Sequence, residues 1–175
     1  MNDLRNPPAQ DHDGLQAPVC QSVDDLQALT GSALYLSPWV EVDQTRIDRF
    51  AEATGDFQWV HVNPARAAQE SGFGGTIAHG FLTLSLLGKH YEDFMPGLLP
   101  FCDLGINYGL NRVRFMQPVR AGSRVRSRFV LAEVSLVAGG VQMLFNATVE
   151  LEGESKPACV AESVVRRMFK QGGAR

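Results

Sequence analysis

Between Gly55 and Pro64 the chain carries an aspartate, Asp56, and a histidine, His61, five positions apart. A carboxylate and an imidazole can exchange protons near neutral pH; a neutral imidazole takes one proton and, once charged, returns it, and a nearby carboxylate raises its pKa toward working pH. Together they could hold one water molecule, one group abstracting its proton and the other delivering a proton to a neighbouring atom. The spacing sets a condition on the backbone. Five residues place side chains about 140° apart on a helix and on opposite faces of a strand, so the two converge only in an irregular segment. Gly55 and Pro64 predict one. Further along, Gly74, Gly75 and Gly80 leave the backbone bare. Gly80 falls at the first turn of an apolar helix, where free N–H groups and the positive dipole end point outward and would stabilise a negatively charged oxygen.

Read singly, these residues keep other meanings. Asp56 behind a helix end suits a turn, His61 suits a satisfied, partly buried histidine, and His79 suits anchoring of a helix start by hydrogen bonds. His90, among Lys89, Glu92 and Asp93, reads as solvated. No i, i+4 histidine pair or H-E-x-x-H occurs, so no metal is expected.

The elements that must hold the pair can be read from period and punctuation. Ile47, Phe50, Ala51 and Thr54 share one helical face, with Asp43 placed to cap the first turn and Gly55 where a left-handed end is expected. A second short helix starts at Asn63-Pro64 and closes at Gly72, leaving residues 56–62 as a tight link. From about His79 to Phe94 a helix apolar nearly all round must be enclosed by protein, and Pro96-Gly97 is expected to stop it. Before these lie a short helix from Asp24 to Leu29 and a strand from Leu34 to Val42 made irregular by Pro38. After them come strands: Ile106, Tyr108 and Leu110, then Val113 and Phe115 on the other phase, with a bulge near Asn111; Val125, Phe129 and Leu131 opposite Arg124, Arg126 and Arg128; a clean period of two from Val141 to Leu151; and Ala158 to Phe169. One buried helix and a run of long antiparallel strands is an α+β pattern. Residues 1–22 read as a flexible arm and 23–175 as one domain.

The 175 residues, 45% hydrophobic and 20% charged, suffice for one sizeable core. A net charge of −3 supplies no general field for nucleic acid. Three widely spaced cysteines without metal spacing, and an acidic, polar N-terminus unlike a secretion signal, suit a reduced, cytoplasmic setting. The apolar stretch from Ile77 to Gly88, broken by His79, falls short of the ~20 residues a bilayer span needs.

The run Ile47-Asp48-Arg49-Phe50-Ala51-Glu52-Ala53-Thr54-Gly55-Asp56-Phe57-Gln58-Trp59-Val60-His61-Val62-Asn63-Pro64, followed by Gly74-Gly75-Thr76-Ile77-Ala78-His79-Gly80-Phe81-Leu82 and by residues 107–115 and 118–122, resembles the MaoC-like (R)-specific enoyl-CoA hydratases, in their nodulation-protein-N-like branch. The resemblance spans roughly residues 35–168. It implies a hot-dog fold, in which a curved antiparallel sheet wraps a long central helix, and homodimers with the active site at or near the subunit interface. It further implies reversible syn addition of water to trans-2-enoyl thioesters of coenzyme A or acyl carrier protein, without a cofactor. Asp56 and His61 fall on the family's catalytic pair, and Gly80 on the glycine whose N–H holds the thioester carbonyl. Gly75, Trp59 and His79 are expected near substrate, with Phe57 and Phe81 as further lining. Gln58 and Trp59 replace a usual Asn-Pro pair, and Gly88 stands where some hydratases carry an orienting serine. Arg112, Arg114, Arg120, Arg124, Arg126 and Arg128 could meet coenzyme A phosphates or form a solvated strand face. A hot-dog thioesterase and a non-catalytic acyl-thioester-binding subunit are the rival readings.

Overall fold

The computed structural model describes residue 15 and residues 17–171. Most of the expected N-terminal arm lies outside these residues. Its last part does not: Cys20 is buried and its N–H donates to the Leu98 carbonyl at 2.9 Å, so the folded body starts before Val23. Eleven elements follow, α1 (Val23–Ala28), β1 (Ala33–Leu36), β2 (Val40–Val42), α2 (Gln44–Thr54), α3 (Trp59–Val62), α4 (Pro64–Glu70), α5 (Gly80–Leu98), β3 (Cys102–Phe115), β4 (Ser123–Val137), β5 (Gly140–Leu151) and β6 (Cys159–Phe169). The expected first strand is two, β1 and β2, separated at Ser37-Pro38-Trp39; both pair with β4.

The sheet is antiparallel, in the order β1-β4-β5-β6-β3. The alternation read in β4 and β5 is the structural one: Val125, Ser127, Phe129 and Leu131, and Val141, Met143, Phe145, Ala147 and Val149, all turn inward. They meet α5 through Leu82, Leu86, Tyr91, Phe94, Met95 and Leu98. On the outer face Arg124 pairs with Glu152 at 2.8 Å, and Arg126 and Arg128 share Glu150 at 2.7 and 3.3 Å. The basic run is therefore mostly a neutralised strand face. In β3 the register against β6 slips between Leu110 and Arg112, where a bulge was expected. The three cysteines are buried and free.

Three expectations about α5 are corrected. It runs through Pro96 to Leu98, because the missing proline N–H removes one bond in the last turn, while Met95, Leu98 and Leu99 are buried and hold that turn in the core. His90 is fully buried, not solvated: with Leu86 and Phe94 it lies on the i, i+4 stripe facing the sheet, and its Nδ1 meets the Ser127 hydroxyl at 2.9 Å. The helix is not enclosed on all sides, since Phe81 is 70% exposed. No helix among the described residues is long and apolar enough to cross a membrane.

Candidate active site

The backbone brings Asp56 and His61 together by changing conformation between them. Asp43 caps α2 by accepting from the Arg46 N–H, and Gly55 ends it at φ 76°, a left-handed turn that suits glycine. Asp56 follows outside the helix, its carboxylate accepting weakly from the Gln58 N–H at 3.3 Å. The link was expected to be irregular throughout; instead its second half, Trp59–Val62, is one helical turn, placing His61 inward at 8% exposure. Asn63 then caps α4 by accepting from the Arg66 N–H.

Residues 76–79, an extended strap, hold this link from the other side. The Ile77 N–H donates to the Val60 carbonyl at 3.1 Å, and the Ile77 carbonyl lies 2.7 Å from His61 Nδ1. His79 Nε2 lies 2.9 Å from the Asp56 backbone carbonyl. The strap is itself fastened to residues 119–121 by Ala78 N–H to Val119 and Ala121 N–H to Thr76. Gln44, on the first turn of α2, donates to the His61 carbonyl at 2.8 Å and accepts from the Thr76 hydroxyl.

A carboxylate oxygen of Asp56 and one ring nitrogen each from His61 and His79 lie within 4.8 Å of one another. Two hydrogen bonds of ordinary length span such a gap through one water molecule. Carbonyl oxygens only accept, so His61 carries its proton on Nδ1 and His79 on Nε2, leaving the His61 Nε2 lone pair free. The His79 ring stacks on that of His61 with centroids 3.8 Å apart, and its Nδ1 is buried without a partner. These three residues are also the group that could approach a metal ion, although one nitrogen of each imidazole is already engaged by a carbonyl.

Burial lowers the His61 pKa from its ordinary value; the Ile77 carbonyl raises it, the neighbouring His79 lowers it further, and Asp56 raises it. The carboxylate was expected to win, but burial does. His61 is consequently a neutral base at pH 7.

Gly80 opens α5, and the His79 side chain does not cap it, so the first N–H groups face outward. A side chain at Gly80 would meet the Phe115 ring at 3.0 Å. Phe115 and Phe81, ring centroids 5.9 Å apart, frame this opening, and both are exposed. The other expected residues separate. A side chain at Gly75 would meet nothing within 4 Å, so packing does not demand glycine there. Trp59 is half-buried with the Arg66 guanidinium 4.4 Å above its ring, and Phe57 points to solvent. At Gly88 the space a serine would fill adjoins the Asn107 amide, 3.4 Å from a modest side chain's first atom. Gln44, Thr76, Ile77, Phe115 and Asn107 had no sequence signal of their own, since their roles arise from contacts across separate elements.

An antiparallel sheet laid over one long helix, with a carboxylate and two imidazoles beside that helix's N-terminus, defines an α+β hot-dog protein. Residues 25–152 match the family described as MaoC like domain, and the chain belongs to it. The chain is 53% identical over 151 residues to nodulation protein N of Rhizobium leguminosarum bv. viciae, covering 85% of this chain and 92% of that one. It is 50% identical over 149 residues to 3-hydroxyacyl-thioester dehydratase Z of Mycobacterium tuberculosis, covering 83% and 95%. Its fold matches the (R)-hydratase from A. caviae involved in PHA biosynthesis with a TM-score of 0.63 at 24% identity, over 78% and 94% of the two chains. The expected family, its nodulation-protein-N-like branch and the hot-dog fold all hold.

Proposed function

We propose that this protein is an (R)-specific enoyl-thioester hydratase, run reversibly as a 3-hydroxyacyl-thioester dehydratase, with Asp56 and His61 as its acid–base pair. The observation that carries this reading is the convergence of the Asp56 carboxylate and His61 at water-bridging distance beside the uncapped start of α5. The identity to a 3-hydroxyacyl-thioester dehydratase supports it. In hydration, His61 Nε2 takes a proton from water while Asp56 accepts the water's other hydrogen and orients it. The water oxygen bonds C3, and the double-bond electrons move onto the thioester oxygen, where the Gly80 N–H holds the enolate. The enolate then collapses and C2 takes the proton from Nε2. Because both atoms reach the substrate from the same side, the addition is syn.

The acyl portion would run along α5 past Leu84 and Gly88. For the coenzyme A phosphates the cation we assign is Arg120, which lies beside the strap and pairs with Ile77 in an isolated bridge, whereas Arg124, Arg126 and Arg128 are occupied by glutamates. A second copy of this chain is the proposed partner. β3 presents a fourteen-residue edge with Leu104, Ile106, Tyr108 and Leu110 exposed, a surface that an isolated protein would be expected to cover.

Crotonyl-CoA tests the reaction: loss of enoyl absorbance without free thiol is expected, and thiol release would make the protein a thioesterase instead. His61→Ala and Asp56→Asn should each lower hydration ~10²-fold or more. Near-wild-type rates in both would reject the assignment, and substrate-induced stabilisation without turnover would indicate an accessory binding protein.

A further inference from the structure

The first residue of α2 is a glutamine whose side chain the helix itself does not need. Asp43 already caps the first turn by accepting from the Arg46 N–H, so Gln44 is free of that task. Its half-buried side chain reaches the link and the strap instead. The amide nitrogen donates to the Asp48 carboxylate at 2.7 Å and to the His61 carbonyl at 2.8 Å, and the amide oxygen accepts from the hydroxyl of Thr76, itself 4% exposed. These partners fix which way the amide points: a carboxylate and a carbonyl only accept, so the nitrogen faces them and the oxygen is left for the hydroxyl.

The bonds close a circuit. From Gln44 it runs to the His61 backbone, then from His61 Nδ1 to the Ile77 carbonyl at 2.7 Å, and back through the adjacent Thr76 to Gln44. The main-chain anchor and the ring anchor of one imidazole are thereby tied to each other through a single amide, 17 residues from His61 and 32 from Thr76 along the chain. Backbone bonds to residues 119–121 hold the far side of the strap; Gln44 joins its near side to α2. Few side chains could serve. An ionised glutamate of the same length only accepts, an asparagine is one methylene shorter, and an apolar side chain closes nothing. We propose that Gln44 is a positioning residue, which through this circuit sets where His61 Nε2 stands relative to Asp56. The inference rests on the reading of Asp56 and His61 as an acid–base pair, and it assigns the alignment of that pair to a residue outside it. A misplacement of about 1 Å costs on the order of 10²-fold in rate, so the effect belongs in kcat and not in KM.

The test reads the circuit with and without turnover. Gln44→Met keeps length and bulk without the hydrogen bonds, Gln44→Glu keeps the shape and turns the donor into an acceptor, and Thr76→Val cuts the other arm. Ile47→Val, buried on the same helix outside the circuit, controls for general loosening. Where carboxylates are ionised, nuclear magnetic resonance of histidine-labelled protein follows exchange of the His61 Nδ1 proton with water. Exchange should quicken about tenfold or more in the three circuit variants and stay within about twofold in Ile47→Val. With crotonyl-CoA the same three should lose about tenfold or more in kcat, with KM within about threefold. Gln44→Met combined with Thr76→Val should lose little more than the worse single change, because both cut one circuit. Unchanged exchange in the Gln44 variants overturns the proposal, as does a loss confined to KM, a loss in Ile47→Val as large as in Gln44→Met, or losses that multiply in the double variant. Wild type that fails to hydrate while the exchange changes appear would sink the hydratase reading and leave the circuit standing; hydration by wild type with unchanged exchange in the variants would do the reverse.

Discussion

The two ends of α5 are built for different purposes. Toward its C-terminus, Met95, Leu98 and Leu99 are sealed in the core, and His90 is buried deeply enough to be held neutral down to about pH 4. At its N-terminus Phe81 stands in solvent, the first N–H groups have no side-chain cap, and beside the Phe115 ring lie His61 and His79, each hydrogen-bonded to a backbone carbonyl. The contrast teaches where a small domain can hold chemistry. Apolar burial at one end stabilises the helix, so the other end can leave donors open and keep two stacked imidazoles in place.

That contrast can be broken by crossing substitutions. Asp56 is more than half exposed, so Asp56→Asn should remove ~10²-fold or more of the hydration rate while moving unfolding free energy by less than about 0.5 kcal/mol. Leu98→Ala should do the opposite, costing about 2–5 kcal/mol of stability with kcat of the folded protein little changed. Denaturant titration and single-substrate kinetics on both variants decide it, and similar profiles for the two would erase the distinction.

Acid should expose the same division. The His90 pKa is lowered from its ordinary 6.5 to about 4, burial being the main cause. Between those values the unfolded chain binds a proton that the folded one refuses, so His90 permits full stability above about pH 6.5 and stability falls as pH drops toward 4, by about 3 kcal/mol. The lowered His61 works in the same direction on the rate: kcat should hold through neutrality and fall only below its ordinary 6.5. A pH series of unfolding curves beside a pH–rate profile measures both, and stability independent of pH across that window would contradict the buried-His90 account.

A smaller effect is expected at His79, which holds the Asp56 carbonyl and stacks on His61. His79→Ala should lower kcat about tenfold. It should also move the acid limb upward, because both the burial and the neighbouring charge that depress His61 are reduced. An unchanged limb would mean that His79 acts on the fold alone. The smallest change belongs to Arg120→Ala: a few-fold rise in KM for coenzyme A thioesters that fades with added salt, kcat being unchanged. Loss of that salt dependence would remove Arg120 from the binding surface.

Much of this molecule could be read locally. Asp43, Gly55, Asn63 and Pro64 marked the ends of α2 and α4 because capping depends on a residue and its next three neighbours. The period of two in β4 and β5 announced their inner faces, and the blocks around Asp56, His61 and Gly80 carried the family. His90 was misread because its immediate neighbours are polar, whereas its burial follows from the helical stripe it shares with Leu86 and Phe94.

What the amino-acid order determined by itself was the type of the longer elements and the ends of α2 and α4, consequences of short-range sterics, hydrogen bonding and periodic burial, while the motif blocks marked the candidate pair. Tertiary structure alone decided that the Ile77 carbonyl fixes the His61 tautomer and that burial outweighs Asp56 in setting its charge. Those outcomes depend on distances between residues far apart in the chain and on the water excluded around them, which no local pattern records.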